Sequence, residues 1–474
     1  MNSPDFDVIV IGSGLGGLAA ALTAKENGCR DVLVVESEGV LGGSTRLSGG
    51  VVMGSRSRLQ RAAGIEDGED DLFKEYMAIN VWDVSAGPVE RWASRSGDTI
   101  DWLENHGVPF YERLIFSGDD RRPRGHCVEG GGQAIVDALV PRCREAGIEF
   151  ALGNRVDELV REGGGVTGVR AGGETLTAGA VVVATGGFGA NPDYLARHYP
   201  IAWVPGETFY IGADGARGDH LRFAEQLGAQ LTGENRGLRM LNPGVDTMHE
   251  AFLPGWTILL DKNGHRFCDE TAPYGILDSL MKARDNVGYV VFDDAALRPP
   301  PSSPSGTATP TSRSGPTTRS SSPSTTPRTS WSSSRTTTAS TSRAPRQARR
   351  LRGHTGTGSV RDCRPVQPAG GGGEDTDFGK AARFLNPIAT PPFYAVEVRP
   401  TAIAHTGYGL RIDDHARVIG VDGHLIAGLY AAGECTGGIV GPTYSGSGSS
   451  LASAAGLGRM AGEAAAEYVL PALA

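Results

Sequence analysis

Asp7-Val8-Ile9-Val10-Ile11-Gly12-Ser13-Gly14-Leu15-Gly16-Gly17-Leu18-Ala19-Ala20-Ala21-Leu22 decides how the whole chain is read. Its first five residues form a short apolar run rich in β-branched side chains, the pattern of a strand buried in a parallel sheet. The alanine-rich stretch after the glycines reads as a helix. A second strand, Asp31-Val32-Leu33-Val34-Val35, ends in Glu36. Gly12 allows the tight turn out of the strand, Gly14 lets the backbone approach a pyrophosphate, and Gly17 lets helix and strand pack closely, with Gly16 completing the run. The helix N-terminus turns unpaired N–H groups and a positive dipole end toward phosphate. Glu36 lies about twenty residues past the glycines, where a carboxylate can bond ribose hydroxyls. Strand, glycines, helix, strand and terminal acid in this order predict a dinucleotide-binding unit.

The chain has 474 residues, too many for one simple core, so two domains are expected. Its formal net charge of −9 argues against nucleic acid or an anionic membrane as the main partner. No apolar run reaches the roughly 18 residues that a membrane-spanning helix requires, so no stable membrane insertion is expected. The first strand starts almost at Met1, which leaves no room for a signal peptide. Cys29, Cys127, Cys143, Cys268, Cys363 and Cys435 are scattered without CxxC spacing. A reduced, cytoplasmic protein without disulfides or a metal site is the expectation. Abundant glycine, 69 residues, suits a chain wrapped closely around a large ligand.

Working outward, Leu41-Gly42-Gly43-Ser44-Thr45 and Ser48-Gly49-Gly50 form a second small-residue cluster. NAD-binding domains do not need it, whereas glutathione-reductase-like flavoproteins often have it, so FAD is favoured over NAD. Residues 70–80 and 88–105 read as amphipathic helices, with Ile100, Trp102 and Leu103 in the core. Gly130-Gly131-Gly132 leads into another helix over 134–140. Residues 148–152, 156–160, 168–170 and 175–176 look like short strands of a meander. A buried strand over 180–183 runs into Ala184-Thr185-Gly186-Gly187-Phe188 and returns the chain to the diphosphate. Asp214-Gly215 marks a turn at the cofactor, before a helix capped by Gly228.

A change of texture near Gly237 places a second, inserted domain over 237–392, between a first part at 1–236 and a C-terminal part at 393–474. Within it, residues 257–261 read as a strand and Asn263-Gly264 as a hairpin turn. Residues 290–292 read as strand and 294–297 as a helix start. From Pro299 to Gly373 the chain is almost wholly Pro, Ser, Thr, Arg and Gly, with Trp331 its one aromatic residue. Such composition cannot bury enough apolar surface to offset the entropy of ordering. Its abrupt borders suggest a compensated pair of frameshifts in a GC-rich reading frame. The final part offers a strand delivering Gly433 and Glu434, then a small-residue loop. The loop ends in Ser449 and Ser450, and a long alanine-rich helix is expected over 451–470; the N–H groups at its start, with Ser449, Ser450 and Leu451, face the pyrimidine end of a flavin.

These segments resemble the succinate dehydrogenase/fumarate reductase flavoprotein family. Besides the two glycine clusters, the resemblance rests on Ala184-Thr185-Gly186-Gly187-Phe188, Gly264-His265-Arg266-Phe267-Cys268-Asp269-Glu270, His405-Thr406-Gly407-Tyr408-Gly409-Leu410 and Gly428-Leu429-Tyr430-Ala431-Ala432-Gly433-Glu434. It implies an α/β fold: a Rossmann-like FAD-binding domain with an inserted α+β capping domain, and substrate held between them against the flavin. It implies hydride transfer between flavin N5 and a carbon next to an activating carbonyl or carboxylate. A small-molecule substrate and an electron acceptor complete the partners.

The branch turns on a few positions. Fumarate reductases carry an arginine proton donor where this chain has Tyr274, and a carboxylate-binding arginine where it has Tyr444. The tyrosine pair is similar to the 3-ketosteroid dehydrogenases. There the counterpart of Tyr274 removes a proton alpha to the ketone, and those of Tyr444 and the Gly448 N–H bond the ketone oxygen. Tyr111 is a candidate third member. His405 resembles the substrate-binding histidine of the fumarate branch, so the pattern is mixed. Tyr408 replaces a usual glycine beside the flavin. No histidine stands near Ser44 for covalent attachment, so FAD is expected to bind non-covalently. A 3-oxosteroid dehydrogenase-like activity is the leading expectation. The alternatives are a fumarate-reductase-like reductase of an unsaturated carboxylate, and a flavin-binding remnant with a damaged cap.

Overall fold

The computed structural model describes residues 4–243, 253–297, 349–350, 374–389 and 391–473. The opening motif folds as β1 (Phe6–Ile11), α1 (Leu15–Glu26) and β2 (Val32–Glu36). β1 is central: Val8, Ile9 and Val10 are fully buried, each worth about 1.5–3 kcal/mol relative to exposure. A small antiparallel sheet follows, built from β3 (Val51–Met53), β4 (Phe110–Ile115) and β5 (Gly125–Val128). Between β3 and β4 lie α2 (Glu69–Ile79), α3 (Ala86–Ser94) and α4 (Ser96–Asn105). β6 (Glu149–Leu152) and β7 (Glu174–Val183) return to the first sheet.

The expected single helix over 88–105 is two helices. Arg95 breaks it, with ψ near 6°, and turns its guanidinium to the Glu463 carboxylate at 2.7 Å. Beyond the break, Gly97 packs so closely that a Cβ there would lie 2.3 Å from the Ser55 carbonyl oxygen. The strands expected at 175–176 and 180–183 are one strand. Gly179, the apparent break, is a packing position instead: a Cβ would meet Asp7 O at 3.0 Å and Val469 at 2.8 Å.

The inserted region contributes β8 (Gly237–Asn242), β9 (Ile258–Leu260), α5 (Tyr274–Lys282) and β10 (Gly288–Asp293). β11 (Phe393–Thr406) pairs antiparallel with both β8 and β10. The boundary expected at 392/393 therefore falls inside one sheet. β12 (Leu425–Ala431) and the long helix α6 (Ser449–Leu473) close the fold. The large sheet runs in the order β6-β2-β1-β7-β12, all parallel, with Arg417–Ile419 antiparallel at the β12 edge.

The segment 299–373 lies outside the described residues except for Arg349–Arg350, which pairs with β11. Residues on its two sides share one buried ion network. Arg266 bonds Glu270 at 2.9 Å and Asp375 at 2.8 Å, and Lys380 reaches Glu270 at 2.8 Å. Such a network holds only when every charge keeps its partner. The five cysteines among the described residues are free thiols. No described helix is long and apolar enough to cross a membrane.

Candidate active site

A cavity of about 710 Å³ opens at the carboxyl ends of β1, β2 and β7 and runs to the sheet of β8 and β11. The carboxyl edge of a parallel sheet is the expected ligand position in such folds. Gly12, Gly14, Gly16, Glu36, Gly43, Ser44, Thr45, Gly49 and Gly50 line it, as do Ala184, Thr185, Gly186, Gly433, Glu434, Ser450 and Leu451.

Four expected cofactor contacts are not in its wall. Gly17 and Gly42 are packing glycines: a Cβ at 17 would lie 1.9 Å from Gly12 O, and one at 42 would lie 2.7 Å from Val136. Asp214 is exposed, while its neighbours Ala213 and Gly215 face the cavity. Ser449 turns inward and donates to Gly446 O at 3.0 Å.

Ser13 ties the two glycine clusters together. Its hydroxyl donates to Glu36 Oε2 at 2.6 Å and accepts the Gly42 N–H at 2.9 Å. Thr45 Oγ1 accepts the Leu15 N–H at 2.9 Å and so caps α1 from a distant loop. Glu434 is fixed by the Thr406 N–H and hydroxyl, both at 2.8 Å. Ser44 accepts the Ala213 N–H and bonds the Tyr210 hydroxyl at 3.1 Å.

At the far end two phenols meet. Tyr274, the first residue of α5, and Tyr444, from the loop before α6, are buried with ring centroids 6.0 Å apart. The Ser447 hydroxyl donates to the Tyr274 oxygen at 3.1 Å. Burial, then the neighbouring Tyr444, pushes the Tyr274 phenol above its ordinary range, against which Ser447 pulls. Ser450 N–H donates to the Tyr444 oxygen at 3.2 Å, and Ser450 Oγ lies 2.9 Å from it. The same Oγ is 3.2 Å from His405 Nδ1. Burial lowers the His405 pKa, so its ring is neutral near pH 7.

Gly448 also lines the cavity, and its positive φ sets the turn into α6. Tyr111 lines the rim instead: it is 38% exposed, and among the described residues no hydrogen bond or ring contact joins it to the two phenols. Leu238, Met240, Ala404 and Val440 make the wall beside the phenols apolar. Ser13, Ser447 and Ser450 carry much of this geometry. Ser13 and Ser447 went unassigned in the sequence, where they are serines among glycines.

Helix α5 also braces the loop that carries Tyr444. Ser279 bonds Thr443 Oγ1 at 2.9 Å, and Lys282 Nζ donates to Pro442 O at 3.1 Å. Gly275 packs so tightly that a Cβ would lie 2.0 Å from Tyr444 O. From the other side Tyr76 donates to Ile439 O at 2.9 Å, and Asn80 Oδ1 accepts the Gly441 N–H at 2.9 Å.

A glycine-edged βαβ sheet opening on one long cavity defines a dinucleotide-dependent oxidoreductase. The chain matches the FAD binding domain profile over residues 7–451 and belongs to that family, the succinate dehydrogenase/fumarate reductase flavoproteins. It is 28% identical to a probable fumarate reductase of Shewanella frigidimarina, covering 98% of this chain and 75% of that one. It is 26% identical to 4-oxocyclohexanecarboxylate 2-dehydrogenase of Sinomonas cyclohexanicum, covering 96% and 92% respectively. The fold is similar to that of a 3-ketosteroid-Δ4-(5α)-dehydrogenase from Rhodococcus jostii, with TM-score 0.73, 25% identity and 98% of each chain covered. The protein is thus an FAD-dependent oxidoreductase acting on carbon–carbon bonds.

The residues present fit FAD. Cβ atoms at Gly14, Gly43 and Gly49 would meet nothing nearer than 3.7 Å, so all three present bare backbone to the cavity. The buried hydroxyl of Thr185 in the cavity wall has no hydrogen-bond partner among the described residues, which suits a position that contacts a ligand.

Proposed function

We propose that the chain desaturates a ketone next to its carbonyl, on a steroid or similar cyclic skeleton, and passes the electrons to a separate acceptor. The observation that carries this reading is the pair of buried phenols, Tyr274 and Tyr444, beside an apolar wall and with no guanidinium at either position. Bound FAD supplies the two-electron acceptor for the hydride.

The chain's own residues manage the oxygen and the proton. With the hydrogen of neutral His405 on Nδ1, His405 donates to Ser450 Oγ and Ser450 donates to the Tyr444 oxygen. That order leaves the Tyr444 hydrogen free for the ketone oxygen, next to the Gly448 N–H. Donors placed there stabilise the negative charge that develops as the α-carbon loses its proton. Tyr274 takes that proton, and the Ser447 hydroxyl steadies the phenolate. Leu238, Met240 and Val440 exclude water from this step.

A second reading has its own observation. Burial keeps Tyr274 protonated, which suits a proton donor to an activated alkene. The same geometry then runs as a reductase, in the direction that the name of the Shewanella relative describes.

Two assays separate the readings: a cyclic ketone with an artificial acceptor, and the matching enone or unsaturated carboxylate with a reduced dye. A base with a raised pKa gives dehydrogenation that climbs steadily from about pH 7 to about pH 10. A donor with a raised pKa gives reduction that is flat over the same range. A dehydrogenation rate independent of pH there would remove Tyr274 from the role of base.

A further inference from the structure

We propose that Arg113 selects, as substrate, a ketone that also carries a carboxylate at the end remote from its carbonyl. This rests on the ketone reading above and adds the substrate's second functional group.

Alternate residues of β4, Tyr111, Arg113 and Ile115, line the cavity, as the period of two in a strand requires. The chain beyond β4 is tied to the ketone-binding loop. Ser117 O accepts the Ser447 N–H at 2.6 Å, and Gly118 bridges Gly446. β4 therefore leads away from the loop that holds Tyr444 and Gly448. Ser117 lies four residues beyond Arg113, two of them past the end of β4, so their backbones are separated by at most roughly 13 Å. The long arginine side chain shortens the gap to the span of a ring ketone with a short acidic arm.

Charge singles out the same residue. Among the described residues lining the cavity, Arg113 is the only arginine or lysine. The carboxylates there are Glu36, Glu38, Asp219 and Glu434, so an anion turned toward the dinucleotide end would meet its own sign. Glu36 and Glu434 are already held by neighbouring donors, and Asp219 is paired with Arg155 at 3.0 Å. Arg113 has no ion pair or side-chain hydrogen bond among the described residues. Its planar fork is shaped to take a carboxylate through two hydrogen bonds. Ile115, Leu47 and Val128 offer apolar cover for the skeleton between the two groups. One guanidinium at one end suits a keto acid and leaves the second carboxylate of a dicarboxylate unanswered.

The test uses the full chain loaded with FAD, titrated by its flavin absorbance. The probes are 3-(4-oxocyclohexyl)propanoate and its methyl ester. The acid is expected to bind about fivefold more tightly than the ester at low salt. That preference should shrink as salt rises toward roughly 0.5 M. Arg113→Gln should bring the acid-to-ester ratio to about one, and Arg113→Lys should retain part of it, since charge stays while the fork is lost. Unchanged flavin content in both variants verifies folding. Equal affinities in the parent, or a ratio that Arg113→Gln leaves intact, would overturn the assignment while the ketone reading stands. If neither probe perturbs the flavin, the ketone reading and this proposal fall together.

Discussion

Gly14 and Gly17 sit three residues apart in one motif, and the structure predicts opposite consequences for adding a methyl group to each. At Gly14 the backbone has φ −63° and ψ 175°, which any residue adopts, and a Cβ would lie 3.7 Å from its nearest neighbour, Thr45 Oγ1. Gly14→Ala should therefore leave the apoprotein intact, or stabilise it by ~0.4–1 kcal/mol through the unfolded chain. The new methyl would stand in the cavity where backbone must approach the diphosphate. Overpacking of that kind costs about 1–3 kcal/mol, so FAD should bind roughly 5- to 150-fold more weakly. At Gly17 a Cβ would overlap the Gly12 carbonyl oxygen at 1.9 Å, outside the cavity. Gly17→Ala should lower the apoprotein's own stability, at the upper end of ~1–3 kcal/mol, by forcing α1 off β1. Thermal unfolding of the two apoproteins and FAD titration by flavin fluorescence read the two effects separately. If Gly14→Ala held FAD as tightly as the parent, the diphosphate would not pass that backbone. If Gly17→Ala melted with the parent, the packing argument would be wrong.

Tyr274→Phe and Tyr444→Phe should each lower kcat by about 10²- to 10⁴-fold with flavin content unchanged, measured by steady-state assay and absorbance. Wild-type rates in both would leave the proposed chemistry without its residues. Arg239 and Asp278 form a buried ion pair at 2.8 Å in the cap, each about 1% exposed. Arg239→Met leaves Asp278 with Lys282 as its remaining cation, at 3.2 Å, and should cost about 1.5–3 kcal/mol in urea unfolding, and a loss below 1 kcal/mol would show the pair to be dispensable.

The opening motif was legible because local chemistry and global position agree there: a buried strand, a turn only glycine makes, and a helix end facing phosphate. The same local rules could not tell a glycine that faces a ligand from one that faces a helix. Gly17 packs helix on strand as its place in the motif requires, whereas Gly42, in the small-residue cluster expected to face the cofactor, packs against Val136 instead. Asp214 is one residue out of phase, because a turn does not announce which way its side chains point. Arg95, at the break between the two helices, bonds Glu463, 368 residues away, which no local window contains. Ser447 stayed hidden in Ser445-Gly446-Ser447-Gly448, where only the folded chain shows that its hydroxyl reaches Tyr274.

Helix α5 is a strut with a tool at each end. Its first residue is one phenol, and its later turns grip the peptide that presents the other. The spacing of the two hydroxyls is therefore set through a single helix. Parting them would mean breaking the Ser279, Lys282 and Gly275 contacts in one event. On the β4 wall, away from those contacts, Tyr111 and Arg113 line the same chamber and stand exposed to solvent.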